Sequence, residues 1–156
     1  VAAAALRQDR ELTVLSAAGH TVLAAGVCGG ASASMVLLAD YEIGAAIILV
    51  LFLMVYDASD YLVGSGAGNG FEGPIAGGLF IAAVASLVAG VPPFRGADVW
   101  TFALLAALAC PAGQFLASAM LPNASVRAPA LRRLDSLLIV APAWAGLVGL
   151  YLQRAA

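Results

Sequence analysis

Lysine is absent from this chain of 156 residues, and charge of either sign is scarce. Seven Arg and nine acidic residues make up 10% of the sequence and leave a formal net charge of -2. Such a chain has no basic face for nucleic acid, and no nucleic-acid partner is expected. Cysteine is nearly absent as well. Cys28 and Cys110 each sit inside an apolar run, which fits neither metal-ligand spacing nor a disulfide framework and reads as membrane-buried thiols. Apolar residues take up the balance, at 63% of the chain with a mean hydropathy of +1.00. A soluble domain carries roughly 25% charged and 45–50% apolar residues. A soluble globular enzyme is therefore excluded. The chain begins at Val1 rather than Met, which leaves an upstream segment open. Its first apolar run is too long for a secretory leader and lacks a small-residue cleavage site.

The few charges divide the sequence into uncharged runs of membrane-spanning length. A hydrocarbon core of about 30 Å needs about 20 apolar residues at a rise of about 1.5 Å each. The runs are Leu12–Ala39, softened at Gly29-Gly30; Ile43–Val63, which takes in Asp57 and Asp60; Pro74–Val91, closed by Pro92-Pro93; Val99–Leu121, with a kink expected at Pro111; and Ser136–Gln153, which contains Pro142. None shows the two-residue alternation of a barrel strand. The expectation is an all-α protein, a polytopic membrane helical bundle of about five transmembrane helices, with residues 1–156 as one integral membrane domain and no linker. With five spans, Arg7, Arg10, Arg127, Arg132 and Arg133 share one side, and Arg95 and Arg154 the other. Cytoplasmic loops collect positive charge, so the first side is expected to face the cytoplasm of a multi-pass cell-membrane protein.

Several polar residues stand out against this background. Only 14 uncharged residues, roughly 21 Å of helix, separate Glu42 from Asp57. That is short of a full crossing, so Asp57 is expected at or inside the inner edge of the hydrocarbon. Asp60 follows at i+3, on the same helix face. Two adjacent carboxylates in low dielectric cannot both ionise without a cation or a basic partner, and an intramembrane ionisable pair is by default a functional-site hypothesis. The plainer alternative is that both reach the headgroups from the helix end. Gly64, Gly66, Gly68 and Gly70 alternate through the following loop, ahead of Glu72-Gly73-Pro74. Such a backbone can approach phosphate closely, but the loop has no Lys or Arg, and a flexible turn explains it equally well. Arg132-Arg133-Leu134-Asp135-Ser136 opens the last run on the same expected side. Here Asp135 suits a helix start and the Arg pair suits an anchor beside anionic lipid. Elsewhere, His20 reads as a buried, hydrogen-bonded histidine. Trp100 and Trp144 read as interfacial aromatics, and Gln114 with Ser118 as interhelical hydrogen-bonding groups.

Taken in order, these segments resemble the CDP-diacylglycerol synthase (phosphatidate cytidylyltransferase) family, polytopic membrane enzymes that condense CTP with phosphatidate and release pyrophosphate. Asp57-Ala58-Ser59-Asp60-Tyr61-Leu62-Val63-Gly64 is similar to the family's Asp, aromatic and Gly at a helix end. Asn69-Gly70-Phe71-Glu72-Gly73 echoes its Lys-Thr-aromatic-Glu-Gly element. Arg132-Arg133-Leu134-Asp135-Ser136, with Pro142 downstream, echoes its closing Asp-Arg-aliphatic-Asp-Ser signature. The likeness runs from about Leu51 to Tyr151, the C-terminal half of a typical member. It implies catalytic roles for Asp57, Asp135 and Arg133; Asp60, which stands where the family usually has a small residue, joins them as a catalytic candidate on its own chemistry. It implies substrate contacts for Gly64, Gly66, Gly68, Glu72, Gly73, Arg132 and Ser136. It implies Mg2+, if the protein is active, on Asp57 and Asp135, with Asp60 a further ligand. Phosphatidate, CTP and membrane phospholipid are the implied partners, and a homo-oligomer or a membrane-protein partner is left open. The departures are specific. Asn69-Gly70 replaces the loop's Lys-Thr, the family's Pro-Gly-His-Gly-Gly run is missing between Leu121 and Leu131, and Arg132 stands where a metal-binding Asp belongs. Either Asp60 replaces that carboxylate, or Arg132 pairs with Asp57 or Asp60 and makes a metal unnecessary. The expectation is a divergent member with weak or lost activity in the family reaction. The alternative is a non-catalytic lipid-binding or scaffold membrane subunit.

Overall fold

A computed structural model describes residues 14–66, 68–121, 131 and 134–155. Among the described residues five helices follow one another: α1 (Val14–Tyr41), α2 (Ile43–Gly64), α3 (Glu72–Val88), α4 (Asp98–Met120) and α5 (Leu137–Ala155). Among the described residues there is no strand. α1, α2, α4 and α5 are long and apolar enough to cross a membrane. Their outward faces carry bare apolar side chains such as Leu23, Met54, Leu104 and Leu150, as expected of helices bounded by lipid. The chain is a membrane-embedded all-α bundle.

The helix boundaries follow the charges and prolines closely, with two differences. α3 has 17 residues, about 26 Å of helix, and is shorter than the other four. It ends at Val88 rather than Val91, because Val91 N–H turns back to the Val88 carbonyl ahead of Pro92-Pro93. α1 runs unbroken through Gly29-Gly30, and α4 takes Pro111 inside a single helix, as its run implied. Glu42 alone separates α1 from α2, and its carboxylate accepts the Gly44 N–H at 3.2 Å, which caps the new helix.

α2 lies against α3, α3 against α4, and α4 and α1 against α5. Between apolar helices in lipid, close packing and hydrogen bonds do the work that water exclusion does in soluble proteins. Glycines set the approach. A β-carbon at Gly77 would stand 2.4 Å from the Tyr56 ring, and one at Gly113 only 2.2 Å from the Asp135 carbonyl oxygen. At the other end of the bundle, Phe94 of the α3–α4 loop stacks on Phe102 with centroids 4.1 Å apart, and both pack on Trp144. Trp144 is therefore core rather than interfacial. It is fully buried, and its Nε1 has no hydrogen-bond partner. Trp100, by contrast, is exposed near the start of α4, and His20 is half-buried on α1.

Gly113→Ala is expected to lower bundle stability by about 1–3 kcal/mol, because the obstructing atom is backbone and cannot rotate away. Gly26→Ala, which meets open space, should leave stability within about 0.5 kcal/mol of the parent. Thermal unfolding of the purified protein in detergent measures the difference.

Candidate functional site

The last two turns of α2 present Tyr56, Asp57 and Asp60 toward the ends of three other helices. Asp60 sits against α3, where Gly73 leaves room for it: a β-carbon there would stand 2.2 Å from Asp60 Oδ1. Gly77, one turn on, receives the Tyr56 ring in the same way. Gly64 faces the Gly73 backbone, with its ideal β-carbon position 3.5 Å from the Gly73 Cα. Gly64 and Gly73 therefore serve the α2–α3 crossing.

From α4, Gln114 reaches into this crossing. Its Nε2 donates to Asp60 Oδ2 at 2.9 Å, and its Oε1 accepts the Tyr56 hydroxyl at 3.4 Å. One amide thus joins α4 to two successive turns of α2. From the start of α5, the buried Ser136 hydroxyl donates to Asp57 Oδ2 at 3.2 Å, across 79 residues of sequence. The Ser136 N–H donates to Asp135 Oδ1 at 2.8 Å, so Ser136 links the two carboxylates. Asp57 keeps an exposed flank, while Asp60 and Asp135 are half-buried.

The glycine loop is arranged differently. Gly66, Gly68 and Gly70 are exposed, with open space where a side chain would stand. Asn69 organises the turn into α3, accepting from Phe71 N–H at 3.1 Å and donating to Glu72 Oε1 at 2.9 Å. Glu72 accordingly faces solvent in the first turn of α3, where its charge favours the helix start. Arg132 and Arg133, candidates for substrate contact and catalysis, lie outside the described residues.

The family resemblance implies Mg2+ on Asp57 and Asp135. One oxygen of Asp57, of Asp60 and of Asp135 faces a hydroxyl, an amide and a backbone N–H respectively. Among the described residues, no three His, Cys, Asp or Glu side chains are grouped to hold a metal ion. Among the described residues the three carboxylates are not grouped as a metal centre, and Asp57 and Asp135, the two implied ligands, are linked through Ser136.

Two members of the cluster were not marked as site residues in the sequence. Tyr56 reads there as one more apolar residue of its run. Gln114 reads only as an interhelical hydrogen bonder, although a lone amide deep in α4 has to find a partner. Ser118, read with it as a pair, is exposed. No family model, curated protein or solved structure matches the chain.

Gln114→Leu is expected to cost about 1–3 kcal/mol by leaving Asp60 without its amide donor inside the helix crossing. Ser118→Ala, on an exposed position of the same helix, should be nearly silent. Chemical or thermal unfolding of both variants under one set of detergent conditions makes the comparison.

Proposed function

We propose that the chain is a phosphatidate cytidylyltransferase-like integral membrane protein in which conversion of CTP and phosphatidate to CDP-diacylglycerol is weak or lost. The observation that supports the reading is the Ser136–Asp57 hydrogen bond. The resemblance rests on two segments far apart in sequence, and this contact joins them at one end of the bundle. A chance likeness in two unconnected stretches would not require them to meet.

The same surroundings account for the loss. Nucleotidyl transfer develops negative charge on phosphate that cations must offset. The loop from Gly64 to Gly73 contains no Lys or Arg. Asp57 and Asp60 are engaged by internal donors. Arg132, in place of a metal-binding Asp, carries a permanent charge that repels a divalent cation and matches a carboxylate in geometry. In this reading Tyr56, Gln114 and Ser136 hold the acidic residues in place, and the cluster locks helices together. That satisfied hydrogen bonding also favours the second reading, a non-catalytic lipid-binding or scaffold subunit. The excess of Arg on the side of residues 64–73 and 122–133 supports a cytoplasmic placement of this end of the bundle.

Purified protein supplied with labelled CTP, phosphatidate and a magnesium titration is expected to form little CDP-diacylglycerol. Robust magnesium-dependent product would overturn the proposal and make the protein an active, divergent synthase. Arg132→Asp is expected to raise divalent-cation binding in calorimetry, with activity still limited by the missing loop cation. For sidedness, Ser65→Cys and Ser125→Cys in intact cells should be labelled by an impermeant thiol reagent only after the membrane is opened. Labelling of the two from opposite faces contradicts a shared cytoplasmic site.

A further inference from the structure

The opposite end of the bundle carries a different kind of feature. Between α4 and α5 lies a cavity of ≈ 220 Å³. Phe102, Leu147 and Leu150 form its apolar wall, and Asp98, Tyr151 and Arg154 its polar rim. Asp98 opens the α4 span and Arg154 closes the α5 span, so the rim stands at a membrane boundary. Gln114 lies sixteen residue steps, about 24 Å of helix, beyond Asp98. The cavity therefore lies at the boundary away from Asp57 and Ser136. Trp100 and Arg95 are exposed beside it, residues suited to a headgroup layer.

The cavity lining carries one acid and one base, Asp98 and Arg154, and the exposed Arg95 stands one turn before Asp98, outside the lining, with its carbonyl accepting the Asp98 N–H at 3.1 Å. The Tyr151 hydroxyl donates to Asp98 Oδ2 at 3.1 Å, which orients that carboxylate. Among the described residues no ion pair joins Asp98 to Arg154. An acid and a base separated on one rim, above an apolar wall, complement an amphiphile that carries both charges. A guanidinium suits phosphate through paired N–H donors, and a carboxylate suits an ammonium. Phosphatidylglycerol would satisfy Arg154 through the same phosphate but brings only a neutral glycerol, and no cation, to Asp98.

We propose that this cavity binds the headgroup of a zwitterionic phospholipid from the leaflet opposite Asp57, with phosphate on Arg154, ammonium on Asp98 and an acyl chain along Leu147 and Leu150. The assignment does not depend on any transferase reading of the other end. The test is native mass spectrometry of the full chain in detergent, offered equal amounts of phosphatidylethanolamine and phosphatidylglycerol. Wild type is expected to retain phosphatidylethanolamine about tenfold better, the equivalent of one charge-assisted contact. Arg154→Gln should lose retention of both lipids, and Asp98→Asn should lose the preference while still holding phosphatidylglycerol. Leu150→Trp fills the mouth from an exposed position and leaves both charges in place, so it should also lower phosphatidylethanolamine retention with helix content unchanged. Equal retention of the two lipids by wild type overturns the proposal. So does retention unaffected by both Arg154→Gln and Leu150→Trp. Soluble phosphoethanolamine displacing the lipid at equal concentration would overturn a membrane lipid as the occupant.

Discussion

Gly73 and Gly77 stand one turn apart on α3, and the Asp60 carboxylate and the Tyr56 ring occupy the space their missing side chains leave. In a bilayer, apolar faces gain little by leaving lipid for one another, so helices are joined by close backbone approach and by polar contacts that lipid cannot replace. The α2–α3 crossing uses both. Once α2 is held this close to α3, Asp60 faces the neighbouring helix α4 and needs a donor, which Gln114 supplies. The same amide accepts from Tyr56, so α4 is tied to the crossing at two points. α5 enters through Ser136 and Asp57, with Gly113 letting the Asp135–Ser136 backbone come against α4.

This accounts for where polar residues are tolerated in so apolar a chain. Each acidic residue of the cluster lies at a helix end and meets a donor from another element or from its neighbour's backbone. A carboxylate buried without such partners would be strongly destabilising. The donors that satisfy these groups are the ones a transferase would need to displace, and this links the packing of the bundle to the proposed loss of activity.

The two ends of the bundle differ in chemistry. One concentrates carboxylates held by hydroxyl, amide and backbone donors. The other stacks Phe94, Phe102 and Trp144 into an aromatic core, beneath a rim bearing one acid and one base. Packing at the aromatic end leaves the buried Trp144 N–H without an acceptor, offset by contacts with three rings. Gly44 serves that end as Gly73 serves the other, allowing the Pro92–Pro93 segment to lie against the start of α2.

Among the described residues the order and near-exact extent of the helices were legible in the sequence, because spanning length and charge placement are local properties of a chain in lipid. Glu42, Pro92-Pro93 and Asp98 mark their boundaries without reference to any distant residue. Charge placement put Asp57 and Ser136 on one side of the membrane and the resemblance put them in one site, but the hydrogen bond itself depends on how the helices cross. Trp144 looks interfacial by type but is enclosed by rings from α2, α4 and a loop, which no local pattern encodes. Gly64 and Gly73 look like part of a phosphate-binding loop but stand at a helix crossing, since a missing β-carbon serves either use. Hydropathy along the chain determined that this protein is a bundle of membrane helices. Only the tertiary structure decided which helix faces touch, because in lipid that choice rests on the fit of particular side chains rather than on average apolarity.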